Sequence, residues 1–222
     1  MIQSDGRCEV RVLVFAASLR DQSLNGRLAQ LAGSFMEGKH ATVHRASMSE
    51  FDCPSFDQDD EGQMPTGAEA LRRRLQEVDA LIIAAPEYNA SMPGVLKNTI
   101  DWTSRFRPQP FNGKQTLLMS ASPSMVGGNR GLWATRVPLE HLGARVYPDM
   151  FSLAQAHEAF GEDGRLKNST LQSRFEETLT CFLDLVEADK HYSRMKKQWV
   201  EFLGERPDAA IDRVETTRVH AA

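Results

Sequence analysis

Cysteine is scarce and scattered: Cys8, Cys53 and Cys181 lie far apart, with no CxxC pair among them. An odd, dispersed set excludes a disulfide framework and offers zinc no ligand cluster. The histidines show no metal-binding cadence either. His40 and His44 are four apart, but in a stretch that reads as a strand, and without companion ligands they are expected as incidental surface residues. No apolar run reaches membrane-spanning length and no secretory leader is visible, so a cytoplasmic protein without a membrane partner is expected. The net charge of -4 lacks the basic excess that nucleic acid or an anionic membrane surface requires, and neither is expected as a partner. Neither the GxxxxGKS/T motif nor GxGxxG occurs, which removes the simplest nucleotide-binding readings. No repeat, low-complexity tract or obvious linker divides the chain.

What is present is an ordinary globular composition, 41% hydrophobic and 25% charged over 222 residues, enough for one sizeable core. Residues 9–17 form a first strand that becomes wholly apolar. A helix follows from Ser23, a candidate N-cap, with Leu24, Leu28, Leu31, Phe35 and Met36 at helical spacing. Residues 41–46 make a more polar strand suited to a sheet edge. Residues 48–65 are irregular and acidic; they lack the alternating ligand pattern of a calcium loop and are expected as a solvated loop. A helix over 67–78 leads into the uniformly apolar strand 79–85, which Pro86 stops because proline donates no ladder hydrogen bond. Pro93 then opens a helix through Trp102. Strand 114–120, a helix over 129–142, a short strand 145–148 containing Pro148, and an amphipathic helix over 170–188 complete the pattern.

Strand followed by helix, five times over, predicts an α/β fold: a doubly wound, five-stranded parallel sheet in the flavodoxin-like order 2-1-3-4-5, with helices on both faces. Residues 1–188 are expected to form this domain and 189–222 a charged extension, helical or packed on a partner subunit. In that strand order the switch point lies between strands one and three, where ligands bind. The loops at that point are 18–25 and 86–91, the two richest in polar side chains.

The first of these carries Ser18, Arg20, Ser23 and Asn25 ahead of a helix N-terminus. Free backbone N–H groups, short hydroxyl donors and a guanidinium suit a phosphate. A capped helix preceded by a polar turn explains the same residues equally well. The second carries Pro86, Glu87, Tyr88 and Asn89 between a buried strand and a helix, a place where function commonly sits. Gly127-Gly128 permits close backbone approach. Arg130 beside it is either a phosphate attractor or a solvated arginine, Lys97 and Asp101 are expected as a surface pair, and Trp102 as core or subunit-interface packing.

Ser18-Leu19-Arg20-Asp21-Gln22-Ser23-Leu24-Asn25, Pro86-Glu87-Tyr88-Asn89 and the block from Met92 to Trp102, with its Leu96-Lys97-Asn98-Thr99-Ile100-Asp101-Trp102 core, together resemble the NADPH-dependent FMN reductase family. Two features depart from it: Ser124, where a glycine is common, and a longer C-terminal tail. The resemblance implies an NAD(P)H-dependent oxidoreductase that passes hydride from NADPH or NADH through bound FMN to a small acceptor such as free flavin, a quinone, an azo compound or a metal oxyanion. It implies that Ser18, Arg20, Ser23 and Asn25 hold the FMN phosphate, that Pro86, Glu87, Tyr88 and Asn89 border the ring and ribityl chain, and that Ser122 lies on the far side. It further implies a homodimer or homotetramer. No side chain is nominated as a general acid or base, because the flavin carries the chemistry and the protein supplies the geometry; Glu87 is expected to accept hydrogen bonds. Two other readings remain: a flavodoxin-like electron carrier with no nicotinamide reaction of its own, against which Arg20 speaks, and a non-enzymatic domain.

Overall fold

Strands β1 (Arg11–Ala16), β3 (Ala80–Ala84) and β4 (Gln115–Ala121) lie side by side and are almost wholly buried, as apolar strands covered on both faces must be. The structure is a computed structural model and describes residues 9–202; Cys8, Leu203 and His220 lie outside it. β2 (Thr42–Ser47) is half-exposed at one edge, in keeping with its polar sequence. The order is β2-β1-β3-β4-β5 and all pairings are parallel. This is the expected doubly wound sheet.

Helices α1 (Leu24–Gly38), α2 (Thr66–Glu77), α3 (Gly94–Thr103), α4 (Asn129–His141), α5 (Ala156–Ala159) and α6 (Ser169–Phe202) surround the sheet. Alternation along β1 divides the apolar interior in two. Val12 and Val14 face α1 and α6 through Leu28, Met36, Phe175 and Phe182. Leu13 and Phe15 face α2, α3 and α4 through Leu71, Leu75, Ile100 and Leu132. A period of two in the strand thus meets a period near 3.6 in each helix.

Three differences from expectation have physical causes. The strand expected over 145–148 is only β5 (Arg145–Val146), because Pro148 lacks the N–H to continue the ladder; pairing to β4 resumes at a sixth strand, β6 (Phe151–Leu153). Residues 48–65 are fastened rather than loosely solvated. Two 3-10 turns, Met48–Phe51 and Gln58–Asp60, organise them, and α3 ties down their backbone. Asn98 Nδ2 donates to the carbonyls of Cys53 and Pro54 while its Oδ1 accepts from the Phe56 N–H, and Trp102 Nε1 donates to the Pro54 carbonyl at 2.8 Å. Trp102 is therefore core, packed edge-on against Phe56. Finally, the last helix does not stop at Ala188 but runs on to Phe202. Among the described residues no helix is long and apolar enough to cross a membrane.

Candidate functional site

Three loops emerge from the carboxyl ends of β1, β3 and β4, and specific hydrogen bonds draw them together. The Ala17 N–H donates to the Ala84 carbonyl, joining the ends of β1 and β3, and the Ala85 N–H donates to Met119, joining β3 and β4. The two loops predicted to share the switch point do share it.

In the first loop the Arg20 N–H donates to Ser18 Oγ at 3.2 Å, a local turn that leaves the Arg20 side chain exposed. Arg20 makes no ion pair or hydrogen bond through its guanidinium to any described residue. Ser23 occupies the N-cap position of α1, yet its hydroxyl makes no capping bond. The first turn of α1 thus carries backbone donors with no side-chain acceptor, the arrangement that favours an anion. Of the two readings open in the sequence, the capped helix loses ground. Asn25 behaves differently. It is 3% exposed, its Nδ2 donates to the Ala121 carbonyl and its Oδ1 accepts from the Ala121 N–H, both at 2.9 Å. Its amide clasps the start of α1 to the end of β4, which leaves one N–H for anything else.

The second loop is built as a hairpin turn. Tyr88 and Ser91 exchange backbone hydrogen bonds at 3.0 Å, and between them Asn89 and Ala90 both have positive φ, 51° and 62°. That matches a type I′ turn, in which asparagine is favoured and alanine is not. The turn leaves the Tyr88 ring exposed beside the buried Pro86.

Glu87 points from this loop to the third. Its carboxylate accepts from the backbone N–H groups of Arg130 at 3.0 Å and Gly131 at 3.1 Å, and from Arg130 Nη2 at 2.6 Å. Gly128 is the N-cap of α4 and has no side chain to offer, so Glu87 supplies the cap from 41 positions away in sequence (128 − 87). Burial alone would push its carboxyl up; the Arg130 guanidinium and the two α4 N–H groups more than reverse this and hold it below the ordinary value of 4.5. Glu87 is therefore an ionised acceptor. Arg130, expected either to attract a phosphate or to be solvated, is instead the partner of Glu87.

In the third loop the Ser122 and Ser124 hydroxyls lie 3.0 Å apart, and the Ser122 N–H donates to Leu153 of β6. Gly127 and Gly128 have φ of 63° and 84°, and a Cβ on Gly128 would collide with the buried, unpartnered Ser120 Oγ. At Gly131 a Cβ would come within 3.0 Å of the Glu87 backbone. The sequence reading passed over Gly131, although three glycines within five residues signal such close packing; nothing in the sequence marks Ser120.

A cavity of about 560 Å³ borders the first loop, lined by Ser18, Arg20 and Ser23 and continuing past Arg45 to Ser47 at the end of β2. Glu87, Tyr88, Asn89 and Ser122 do not line it. Outside the site, Cys53 is half-buried and burial raises its thiol, which argues against a thiolate nucleophile there. No group of three potential metal ligands exists among the described residues.

Comparison with known proteins agrees with this geometry. The profile of the NADPH-dependent FMN reductase family matches residues 10–158. The chain is 37% identical over 140 residues to a quinone reductase of Escherichia coli, covering 62% of this chain and 73% of that one. It is 33% identical over 175 residues to an NAD(P)H-dependent FMN reductase of Pseudomonas aeruginosa, covering 77% and 92%. Among solved structures, the flavoenzyme NAD(P)H:(acceptor) oxidoreductase of Paracoccus denitrificans superposes with a TM-score of 0.70 at 26% identity, covering 81% of this chain and 98% of that one. The chain belongs to the NADPH-dependent FMN reductase family and is a nicotinamide-dependent flavin oxidoreductase.

Proposed function

We propose that the three loops hold FMN across the β1–β3 junction and that a small quinone is the electron acceptor. The observation that carries the cofactor assignment is the first loop: an exposed arginine with no partner among the described residues, a serine whose hydroxyl lines the cavity and does not cap its helix, and a helix N-terminus without a side-chain acceptor, all at one strand end. A phosphate dianion matches that donor set. Ser18, Arg20, Ser23 and the remaining Asn25 N–H hold the phosphate in this reading. Pro86 and Tyr88 offer apolar surface to the ring, Glu87 and Asn89 shape the loop that carries them, and Ser122 bounds the far side.

Bound FMN would supply the hydride and electron chemistry that links the nicotinamide to the acceptor. The chain's own residues bind and orient. Arg20 and the α1 N-terminus anchor the charged end. The Tyr88–Ser91 turn and the Glu87 cap hold the second loop against the start of α4, where it would border the ring. Glu87, held ionised by Arg130 and the α4 backbone, keeps its proton off at neutral pH and takes no part in proton transfer. The quinone assignment rests on relatives named quinone reductase in Escherichia coli and 2-hydroxy-1,4-benzoquinone reductase in a Burkholderia species.

Self-association belongs to the same reading. Trp133 and Val137, one turn apart on α4, are 56% and 69% exposed, and Met125 and Val126 stand exposed just ahead of them. An apolar face of this kind beside the site is assigned to a second copy in a cytoplasmic homo-oligomer.

The test is direct. Purified protein is expected to be yellow, to release FMN on denaturation, and to bleach rapidly with NADPH under anaerobic conditions, with turnover restored by a benzoquinone. A colourless protein that takes up no added FMN would defeat the assignment. Flavin that binds yet stays oxidised with both NADPH and NADH would favour an electron carrier instead.

A further inference from the structure

The cavity beside the first loop is larger than a phosphate requires. At about 560 Å³ it matches the size of sites that take a whole small ligand, commonly about 300–1,000 Å³. Glu87, Tyr88, Asn89 and Ser122, the residues assigned to the ring, contribute nothing to it. In the sheet β3 lies on one side of β1 and β2 on the other. From Ser18 and Arg20 the cavity runs away from β3, between α1 and β2, as far as Arg45 and Ser49.

The walls of this branch suit a flat base. Gly26 and Ala29 present little or no side chain from α1, and Leu19 stands at the mouth 53% exposed. Packing does not demand a glycine at 26, since a Cβ there would meet Ser23 Cβ at an ordinary 3.7 Å and nothing closer. Glycine weakens a helix interior, and what it leaves here is open space along the cavity. Arg45 closes the far end. Its guanidinium lies over Gly33, where a Cβ would collide with Nη1, and it donates to the Gln30 carbonyl, Ser34 Oγ and Glu37 Oε2. Its Nε–H and one Nη1–H stay without a partner among the described residues, so a seated guanidinium offers a base both a stacking face and donors. Asp21 and Gln30, exposed on the lining, provide acceptors for ribose hydroxyls.

We propose that this branch takes the adenylate half of FAD, so that the chain holds the dinucleotide flavin as well as FMN. The assignment rests on the first loop holding the flavin's phosphate. The adenosine of FAD is joined to that phosphate through a second one, and the branch is continuous with the phosphate loop and not with the loops assigned to the ring. A nicotinamide coenzyme, whose reacting end must lie on the ring, has no such continuity with it. A site for a mononucleotide can close around its phosphate; this one stays open on the side of β2, where a phosphodiester would continue.

The experiment titrates full-length, flavin-free protein with FMN, FAD and 2′,5′-ADP by calorimetry. FAD is expected to bind at least as tightly as FMN. Arg45→Ala removes a part-exposed side chain outside the phosphate loop, and Gly33→Ala dislodges the guanidinium while favouring the helix. Each variant is expected to weaken FAD about 3- to 30-fold, the worth of a stacked cation, and to leave FMN within about twofold. FAD that binds more weakly than FMN to the wild type overturns the proposal. So does an FAD affinity that either variant leaves unchanged, the result for an adenylate left in solvent. Binding of 2′,5′-ADP that is lost in Arg45→Ala while FAD is unaffected assigns the branch to the nicotinamide coenzyme and likewise overturns it. If neither flavin binds, the phosphate assignment of the first loop falls and this proposal with it; if FMN binds and FAD does not, this proposal alone falls.

Discussion

The two sides of the candidate site treat their polar groups in opposite ways. Around residues 18–23 the donors are uncommitted: Arg20 pairs with no described residue and the Ser23 hydroxyl leaves its helix uncapped. Around residues 86–91 and the start of α4 the groups satisfy one another: Glu87 with Arg130 and Gly131, Tyr88 with Ser91. Satisfied groups stabilise the fold and hold a wall in place. Uncommitted donors at a helix N-terminus contribute little to the fold and leave their interaction energy for a ligand. The contrast therefore predicts that substitutions on one side alter stability and on the other alter affinity.

The largest effect is expected on the rigid side. Gly128 has a φ of 84°, and any Cβ there meets Ser120 Oγ in the buried end of β4. For Gly128→Ala, backbone strain and overpacking, each about 1–3 kcal/mol, give a destabilisation of roughly 2–4 kcal/mol and a melting temperature lower by roughly 5–15 °C. A melt within ~2 °C of wild type would show that the start of α4 yields easily, and the rigid half of the comparison would fail.

On the other side, Arg20→Ala is expected to leave the melting temperature of the flavin-free protein within ~2 °C of wild type, as for an exposed, unpaired side chain. FMN affinity should fall by about 1.5–3 kcal/mol, the loss of one charge-assisted hydrogen bond, or about 10- to 150-fold in a fluorescence titration. An unchanged Kd would remove Arg20 from the phosphate site.

That division of labour was only partly legible in the sequence. Strand order, the switch point and the pairing of the two loops followed from apolar runs and from the strand-helix alternation, which are local signals. The first loop reads equally as a phosphate site or as a capped helix, and only the structure shows that Ser23 makes no capping bond and that the Arg20 side chain is exposed. What escaped were long-range commitments. Asn25 reads as a phosphate donor beside three others, yet its amide reaches Ala121, 96 residues away. Arg130 reads as solvated or as a phosphate attractor until Glu87, 43 residues distant, takes it. Asn98 and Trp102 sit in the block that identifies the family, and their side chains serve to fasten residues 53–56. A motif shows that residues matter without showing whether they face a ligand or the fold.

A middle-sized effect separates the charge of Glu87 from its role as a cap. Glu87→Gln retains an acceptor for the α4 N–H groups but loses the Arg130 ion pair, and is expected to cost roughly 1–2 kcal/mol. The sign of the pH dependence follows from the lowered carboxyl. A folded-state value below 4.5 means that its contribution is complete above about pH 4.5 and is lost as pH falls through the folded value. The stability gap between wild type and Glu87→Gln should therefore be widest near neutrality and close in acid, measured by denaturant titration at several pH values. Salt should narrow it too, because Arg130 is 59% exposed and that half of the pair is screened. A gap that widens in acid would mean Glu87 is protonated in the native state.

The smallest effect tests whether the wall carries strain. Ala90 holds a φ of 62° at the second central position of the Tyr88–Ser91 turn, where glycine is the favoured residue. A left-handed alanine costs about 1–2 kcal/mol, whereas a glycine at the same place adds roughly 0.5–1 kcal/mol of chain entropy to the unfolded state. Ala90→Gly should therefore stabilise the protein by ~0–1.5 kcal/mol, a rise of at most a few degrees in melting temperature. The same change at Asn89 should give less, since asparagine already tolerates that conformation. A fall in melting temperature for Ala90→Gly would mean that strain in this turn is compensated by rigidity, and that the committed side of the site is stiffer than its hydrogen bonds alone make it.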